Sequence, residues 1–331
     1  MDRRNDAIEV FRALLMFGIC FLHAVSQGDF YCHTLVKILC PAVCGFVFIS
    51  GWFGVRFSVG KILRLYAVGA YAALVASFAA QLQAGTFAPA EYLGKALELW
   101  REYWFLHGYV VLMCFAPAVN FVVEKAAKKD AFAILAPVMG FSFVWSWGAS
   151  APFAGRIFPL TEGLGAYTGF SLLAVYALAR LCRRHYPAPS PRTVAVVFGV
   201  SFAGVLLTGG MYDSPFAALL AASAFHFFLR MGSLIESRGG SVPAPVVRLV
   251  DFLAPSLFSI YLIHSHVSVG FPLMKALENR LAEHMPVACA YFATAAIVFW
   301  GCLVLDLPRR ILFWLVARTV SRRAAPKHFS A

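Results

Sequence analysis

The sequence predicts an all-α, polytopic membrane protein of about ten transmembrane helices with both termini in the cytoplasm, and three observations predict it. Of its 331 residues, 61% are hydrophobic and 13% charged, whereas a soluble domain is nearer a quarter charged. Apolar stretches of close to twenty residues, each long enough to span hydrocarbon, recur along the whole chain. Lys and Arg are distributed asymmetrically between the stretches. With the N-terminus inside, 21 of the 28 fall in inner segments, six in outer ones, and Arg12 lies within the first span. Such a bias toward one side sets topology. It also accounts for the net charge of +12 without a nucleic-acid partner.

The first span, 7–26, reads AIEVFRALLMFGICFLHAVS and is apolar except for Glu9, Arg12 and His23. It is too long for a signal-peptide core, and no cleavable leader is expected. The second, 35–53, carries one charge, Lys37, and closes on Ser50-Gly51. The third, 62–83, follows Lys61 and takes in Arg64. The segment after it gathers Glu91, Glu98, Arg101, Glu102 and Tyr103. The fourth, 104–123, opens on Trp104 and includes Tyr109. Spans 131–149, 164–181, 193–210 and 216–233 are almost free of acidic residues. Arg156 and Glu162 fall between the fifth and sixth of the ten. The ninth, 252–273, contains Tyr261 and His264, and the tenth runs over 287–305. Beyond it, Ile311–Val320 is short, apolar and basic-ended, as suits a helix lying on the membrane surface.

No repeat or soluble insert divides the chain. It is expected to be a single transmembrane domain over 1–331, with a core at about 5–315 and a surface tail at 311–331. Its eight cysteines are scattered through apolar stretches without a C-x-x-C pair, so they are expected to be apolar fillers, with no metal site and no disulfide.

Arg12 and His23 are eleven positions apart. At roughly 100° and 1.5 Å per residue they share one face, about 16–17 Å apart along the axis. Glu9, three residues before Arg12, is its neighbour on the helix surface and a natural ion-pair partner. Ionisable groups within a span face a bundle interior or a wet cavity. This helix is therefore expected to line a polar tunnel, with a guanidinium toward the inner end and an imidazole toward the outer. Such a tunnel serves an enzyme, or a transporter or channel. Transporters of this kind show inverted repeats and broken helices at matching places in two halves, and the sequence has no such symmetry.

The E-x-x-R-x(10)-H pattern of Glu9, Arg12 and His23 resembles the first helix of the acyltransferase family 3 membrane proteins. Further motifs follow in order. Phe48-Ile49-Ser50-Gly51 is similar to the family's F-x-x-S-G. Lys61-Ile62-Leu63-Arg64-Leu65-Tyr66 resembles its R-x-x-R-hydrophobic-Tyr. Trp104-Phe105, with Tyr109, Pro117 and Asn120, resembles its fourth helix. Ser259-Ile260-Tyr261-Leu262-Ile263-His264 resembles its S-x-x-Y-L-x-H, and Asp306 with Arg309 and Arg310 its basic exit. The chain departs from the pattern at Glu9 (commonly Asp), at Lys61 (commonly Arg) and at Ala67 (frequently Pro). Lys at 61 turns a bidentate phosphate contact into a point-charge one.

The resemblance implies a bacterial cytoplasmic-membrane enzyme. It would move an acyl group, most often acetyl, from acyl-CoA as co-substrate to a hydroxyl of a cell-surface glycan or glycolipid. His23 is then the candidate base, since imidazole titrates near neutrality, or a transient acyl carrier; a buried histidine bonded to a carbonyl is the plain alternative. Arg12 suits the donor's phosphates or a salt bridge to Glu9, with Lys61 and Arg64 candidates for the same donor site. His264 is a candidate second polar group at the reaction centre, or one side of a helix–helix hydrogen bond. Trp104, Tyr109, Arg156, Glu162 and Tyr261 are candidate acceptor contacts.

Overall fold

The architecture comes from a computed structural model that describes residues 5–27, 32–85, 88–149, 169–208 and 214–324. Fourteen helices and no strand occur among the described residues. They are α1 (Asp6–Gln27), α2 (His33–Leu39), α3 (Pro41–Phe53), α4 (Val59–Ala84), α5 (Pro89–Trp100), α6 (Trp104–Lys125) and α7 (Lys128–Ala149). Then follow α8 (Gly169–His185), α9 (Pro191–Thr208), α10 (Pro215–Ser237), α11 (Ala244–Leu253), α12 (Leu257–His264), α13 (Gly270–Ala282) and α14 (Val287–Ala324).

Local chemistry explains several boundaries. Asp6 and Glu9 occupy the first turn of α1, where carboxylates favour the helix N-terminus. Pro41 opens α3 and Pro215 opens α10, each at a position where a missing N–H costs nothing. Ser214 caps α10 by accepting from the Phe216 N–H. Gly54 and Gly85 end α3 and α4 at positive φ (79° and 67°), a conformation glycine adopts without strain.

Among the described residues, seven stretches are long and apolar enough to cross a membrane, α2 and α3 together forming one of them, or eight if the bent pair α11–α12 is one span. Ten were expected. α7 and α8 lie where the fifth and sixth spans were placed but are not among the seven. The ninth span is not one helix. Ala254-Pro255-Ser256 separates α11 from α12 with a 52° bend, because Pro255 has no N–H to continue the ladder. A second break after His264 then separates α12 from α13. The tail is not a separate surface helix either. α14 continues through Pro308 to Ala324, so 311–320 prolongs the last span. α5, read from sequence as loop, is a helix braced on α4 by Tyr92 Oη donating to Leu74 O (2.9 Å) and Ser77 Oγ donating to Tyr92 O (2.8 Å).

α1 packs on α3, α10, α12, α13 and α14. α8 packs on α3 and α6, and the α3–α8 approach is set by Gly51. A Cβ there would lie 2.7 Å from both Tyr176 O and Ala179 Cβ. Large apolar side chains such as Leu82, Leu207 and Val304 point outward, which suits contact with lipid tails.

Candidate active site

α1 carries two of the polar groups at opposite ends of one face. Near its start, Arg12 Nη1 is 3.3 Å from both Glu9 carboxylate oxygens. The Arg12 side chain remains one-third exposed (33%), so the guanidinium keeps donors for a further anion. Near its end, His23 meets α12, with Nδ1 of His23 2.9 Å from Nε2 of His264.

The backbone decides which ring nitrogens carry protons. His264 Nδ1 lies 2.6 Å from the carbonyl of Ile260, and a carbonyl only accepts. His264 therefore donates from Nδ1, and in the neutral ring Nε2 accepts. His23 must then donate from Nδ1, which leaves its Nε2 lone pair unprotonated. That atom has no hydrogen-bond partner among the described residues. The Phe271 ring stands 4.9 Å from the His23 ring, and Cys20 Sγ lies 3.9 Å from His264 Nδ1.

A cavity of about 280 Å³ begins at Arg12. Its polar lining is Arg12, Ser50, Tyr109 and Tyr261; Met16, Ile19, Phe46, Phe105 and Phe258 make up much of the rest. Ile19 is one turn before His23 and Tyr261 one turn before His264, so the cavity wall ends about one turn short of the histidine pair. Ligand pockets run from roughly 300 Å³ upward, so this one suits a slender chain. Tyr109 Oη is 3.0 Å from Ser50 Oγ, and the Tyr261 ring meets the edges of His264 and Phe105.

A second, wider cavity of about 790 Å³ is lined by Arg64, Phe252, Pro255, Arg309, Arg310 and Trp314. Arg309 holds Asp306 through two bonds (Nε–Oδ1 2.6 Å, Nη2–Oδ2 2.8 Å), and Arg310 donates to Phe252 O. The structure thus separates residues that the sequence grouped. Arg64 faces this wider cavity, Arg12 the slender one, and the exposed Lys61 lines neither. Trp104 packs edge-on to Phe105 beside the slender cavity. Arg156 and Glu162 lie outside the described residues.

One cluster joins residues that the sequence kept apart, Glu102 and Tyr103 as acceptor-side candidates before the fourth span and His266 as a weaker candidate beside His264. His266, fully buried, has Nδ1 3.0 Å from Glu102 Oε2 and Nε2 2.7 Å from Tyr103 Oη. Ser268 donates its N–H (3.2 Å) and its hydroxyl to the same carboxylate. Burial pushes His266 below the ordinary imidazole value, outweighing the neighbouring Glu102. Burial pushes Glu102 up, but the bonds from Ser268 and His266 together hold it below the ordinary carboxylate value. Burial raises the Tyr103 phenol. The arrangement is a neutral imidazole donating to a carboxylate and accepting from a phenol. The sequence signals were a second histidine two residues after His264 and the charged, aromatic segment before the fourth span, and 164 positions separate His266 from Glu102.

A sequence model for an acyltransferase domain matches residues 5–307 of the 331. No curated protein and no solved structure matches the chain.

Proposed function

The chain belongs to acyltransferase family 3, and from that premise we propose that it transfers an acyl group, acetyl in the first instance, from acyl-CoA to a hydroxyl of a surface glycan or glycolipid. The observation that supports this reading is the His23–His264 pair, whose hydrogen bonds leave an unprotonated imidazole nitrogen near the head of a cavity that starts at a guanidinium.

In this reading the Arg12 end is cytoplasmic, as the Lys and Arg distribution implies. Arg12 binds the donor's pyrophosphate, oriented by Glu9. The wider cavity of Arg64, Arg310 and Trp314 receives the nucleotide end. The apolar walls between Met16 and Phe105 exclude water from the pantetheine arm and bring the thioester toward His23.

His23 Nε2 takes the proton of the acceptor hydroxyl as that oxygen attacks the thioester carbonyl. The imidazolium that forms shares its charge through Nδ1–H with His264 and so with the Ile260 carbonyl. Tyr261 donates to the oxyanion of the tetrahedral intermediate. When the intermediate collapses, the C–S bond breaks and the departing thiolate takes the proton from His23, leaving the ring neutral. Trp104 and Tyr109 flank the path of the acceptor.

Mass spectrometry of the host's surface glycans tests this. Wild type is compared with a null strain and with a strain carrying His23→Ala at normal protein level. Loss of one acyl mass in both is expected. An acyl mass retained with His23→Ala removes that residue as base. An unchanged glycan profile in the null, together with no acyl-CoA consumption by the purified protein, removes the reaction itself.

A further inference from the structure

His264 ends α12, and the chain then turns sharply before α13 begins at Gly270. The turn is closely confined. Ser265 N–H still bonds to Tyr261 O (3.0 Å), closing the last turn of α12. Gly270 approaches the His264 carbonyl so nearly that a Cβ there would collide with it. The His266 carbonyl accepts from Phe271 N–H (2.9 Å), and the Phe271 ring faces His23. Both neighbours of the His23 ring, His264 and Phe271, are thus within a few residues of His266.

His266 points the other way. Its ring is held between the α5–α6 turn residues Glu102 and Tyr103, and Ser268 adds two bonds to the same carboxylate. Glu102 therefore accepts three hydrogen bonds from one short turn, two of them from atoms of a single residue. Nothing in acid–base chemistry at His23 requires these groups, and none of them lines either cavity. Their common effect is on geometry: they tie the break between α12 and α13 to the start of α6.

We infer that His266, clasped by Glu102 and Tyr103, is a positioning residue that holds the α12–α13 turn so that His264 meets His23. Its consequence for turnover rests on the acyl-transfer reading; the clasp itself does not. Loosening the turn lets His264 drift from His23, and a displacement near 1 Å at a reacting geometry lowers rate by up to about a hundredfold. Donor binding at Arg12, at the far end of α1, stays as it is.

The test uses full-length protein in lipid nanodiscs, with His266→Ala, His266→Gln and Tyr103→Phe. Glutamine carries an amide NH2 that donates and a carbonyl oxygen that accepts, so it can answer both Glu102 and Tyr103. Hydrogen–deuterium exchange reads the clasp directly. Backbone amides between 257 and 271 are expected to exchange faster in His266→Ala and to recover in His266→Gln. Steady-state kinetics read its effect. His266→Ala is expected to lower kcat about ten- to hundredfold with donor KM within twofold of wild type, and His266→Gln to restore most of kcat. If His266→Ala does not fold, Tyr103→Phe, which removes a single hydroxyl, is expected to show the same exchange change and kcat loss on a smaller scale. Unchanged exchange overturns the clasp. Faster exchange with unchanged kcat, or a loss carried by donor KM, overturns the positioning role. If wild type itself turns over no acyl-CoA, the proposed function fails while exchange still judges the clasp.

Discussion

In the proposed reaction, replacing His264 by Ala separates the base, His23, from its partner. In the resting site His23 Nδ1–H donates to His264 Nε2 at 2.9 Å, a neutral bond contributing about 0.5–1.5 kcal/mol. When His23 takes the acceptor proton, the same bond becomes charge-assisted and contributes about 1.5–3 kcal/mol. Only the growth between the two states lowers the barrier. That growth is about 1–1.5 kcal/mol, or about tenfold in rate at roughly 1.36 kcal/mol per decade. Losing tautomer selection adds to this, so the low end of that range, about fivefold, is a floor. His23→Ala removes base catalysis altogether, a loss of about two to four powers of ten. His264→Gln, whose amide oxygen accepts, is expected between His264→Ala and wild type. The assay is the initial rate of free thiol release from acyl-CoA in nanodiscs, with acceptor glycan supplied and folding checked by size exclusion. A kcat for His264→Ala within twofold of wild type would refute the charge-sharing role. A loss as large as that of His23→Ala would make His264 the base.

Three further outcomes are expected. Arg12→Ala, by removing a charge-assisted contact of about 1.5–3 kcal/mol, is expected to weaken coenzyme A binding about ten- to hundredfold in calorimetry; unchanged affinity takes Arg12 out of the donor site. Asp306→Ala strands the guanidinium of Arg309, which is only 6% exposed. It is expected to destabilise the fold by about 3–5 kcal/mol, with much of the loss recovered in Asp306→Leu/Arg309→Met, both read by thermal unfolding in detergent. Stability is also expected to depend on pH through the clasp. His266 is held below its ordinary value of 6.5, so the unfolded chain binds the extra proton first and stability falls as pH drops below about 6.5. Glu102, held below its ordinary value of 4.5, adds its own loss as pH falls from there through its folded value. Other buried histidines titrate in the same window, so His266→Gln is expected to shrink the first phase without abolishing it; an unchanged first phase in that variant would show that the clasp contributes nothing to it.

The first helix shows what a short range of sequence holds. Glu9, Arg12 and His23 lie on one continuous helix, so the 3.6-residue repeat alone sets their spacing and shared face. The Glu9–Arg12 contact follows from the same repeat. The apolar lengths that mark membrane spans are equally local, since hydrocarbon thickness sets them. Continuity was harder to read. Pro255 broke the ninth span although apolar residues continue on both sides, while Pro308 left α14 intact. Both prolines lack the N–H, so the residue type by itself does not say which helix breaks.

The partner of His23 was decided elsewhere. His23 and His264 are 241 positions apart, and their bond exists because α12 is brought beside the end of α1. Arg12 and Arg64 both lie toward the inner side of their spans in sequence, yet the bundle turns them into different cavities. His266 finds Glu102 only because α5, α6, α12 and α13 converge at one end. Spacing along a helix is a property of the chain and needs no tertiary structure. Which lone pair is left free on an imidazole depends on atoms brought from distant helices, and packing alone supplies them.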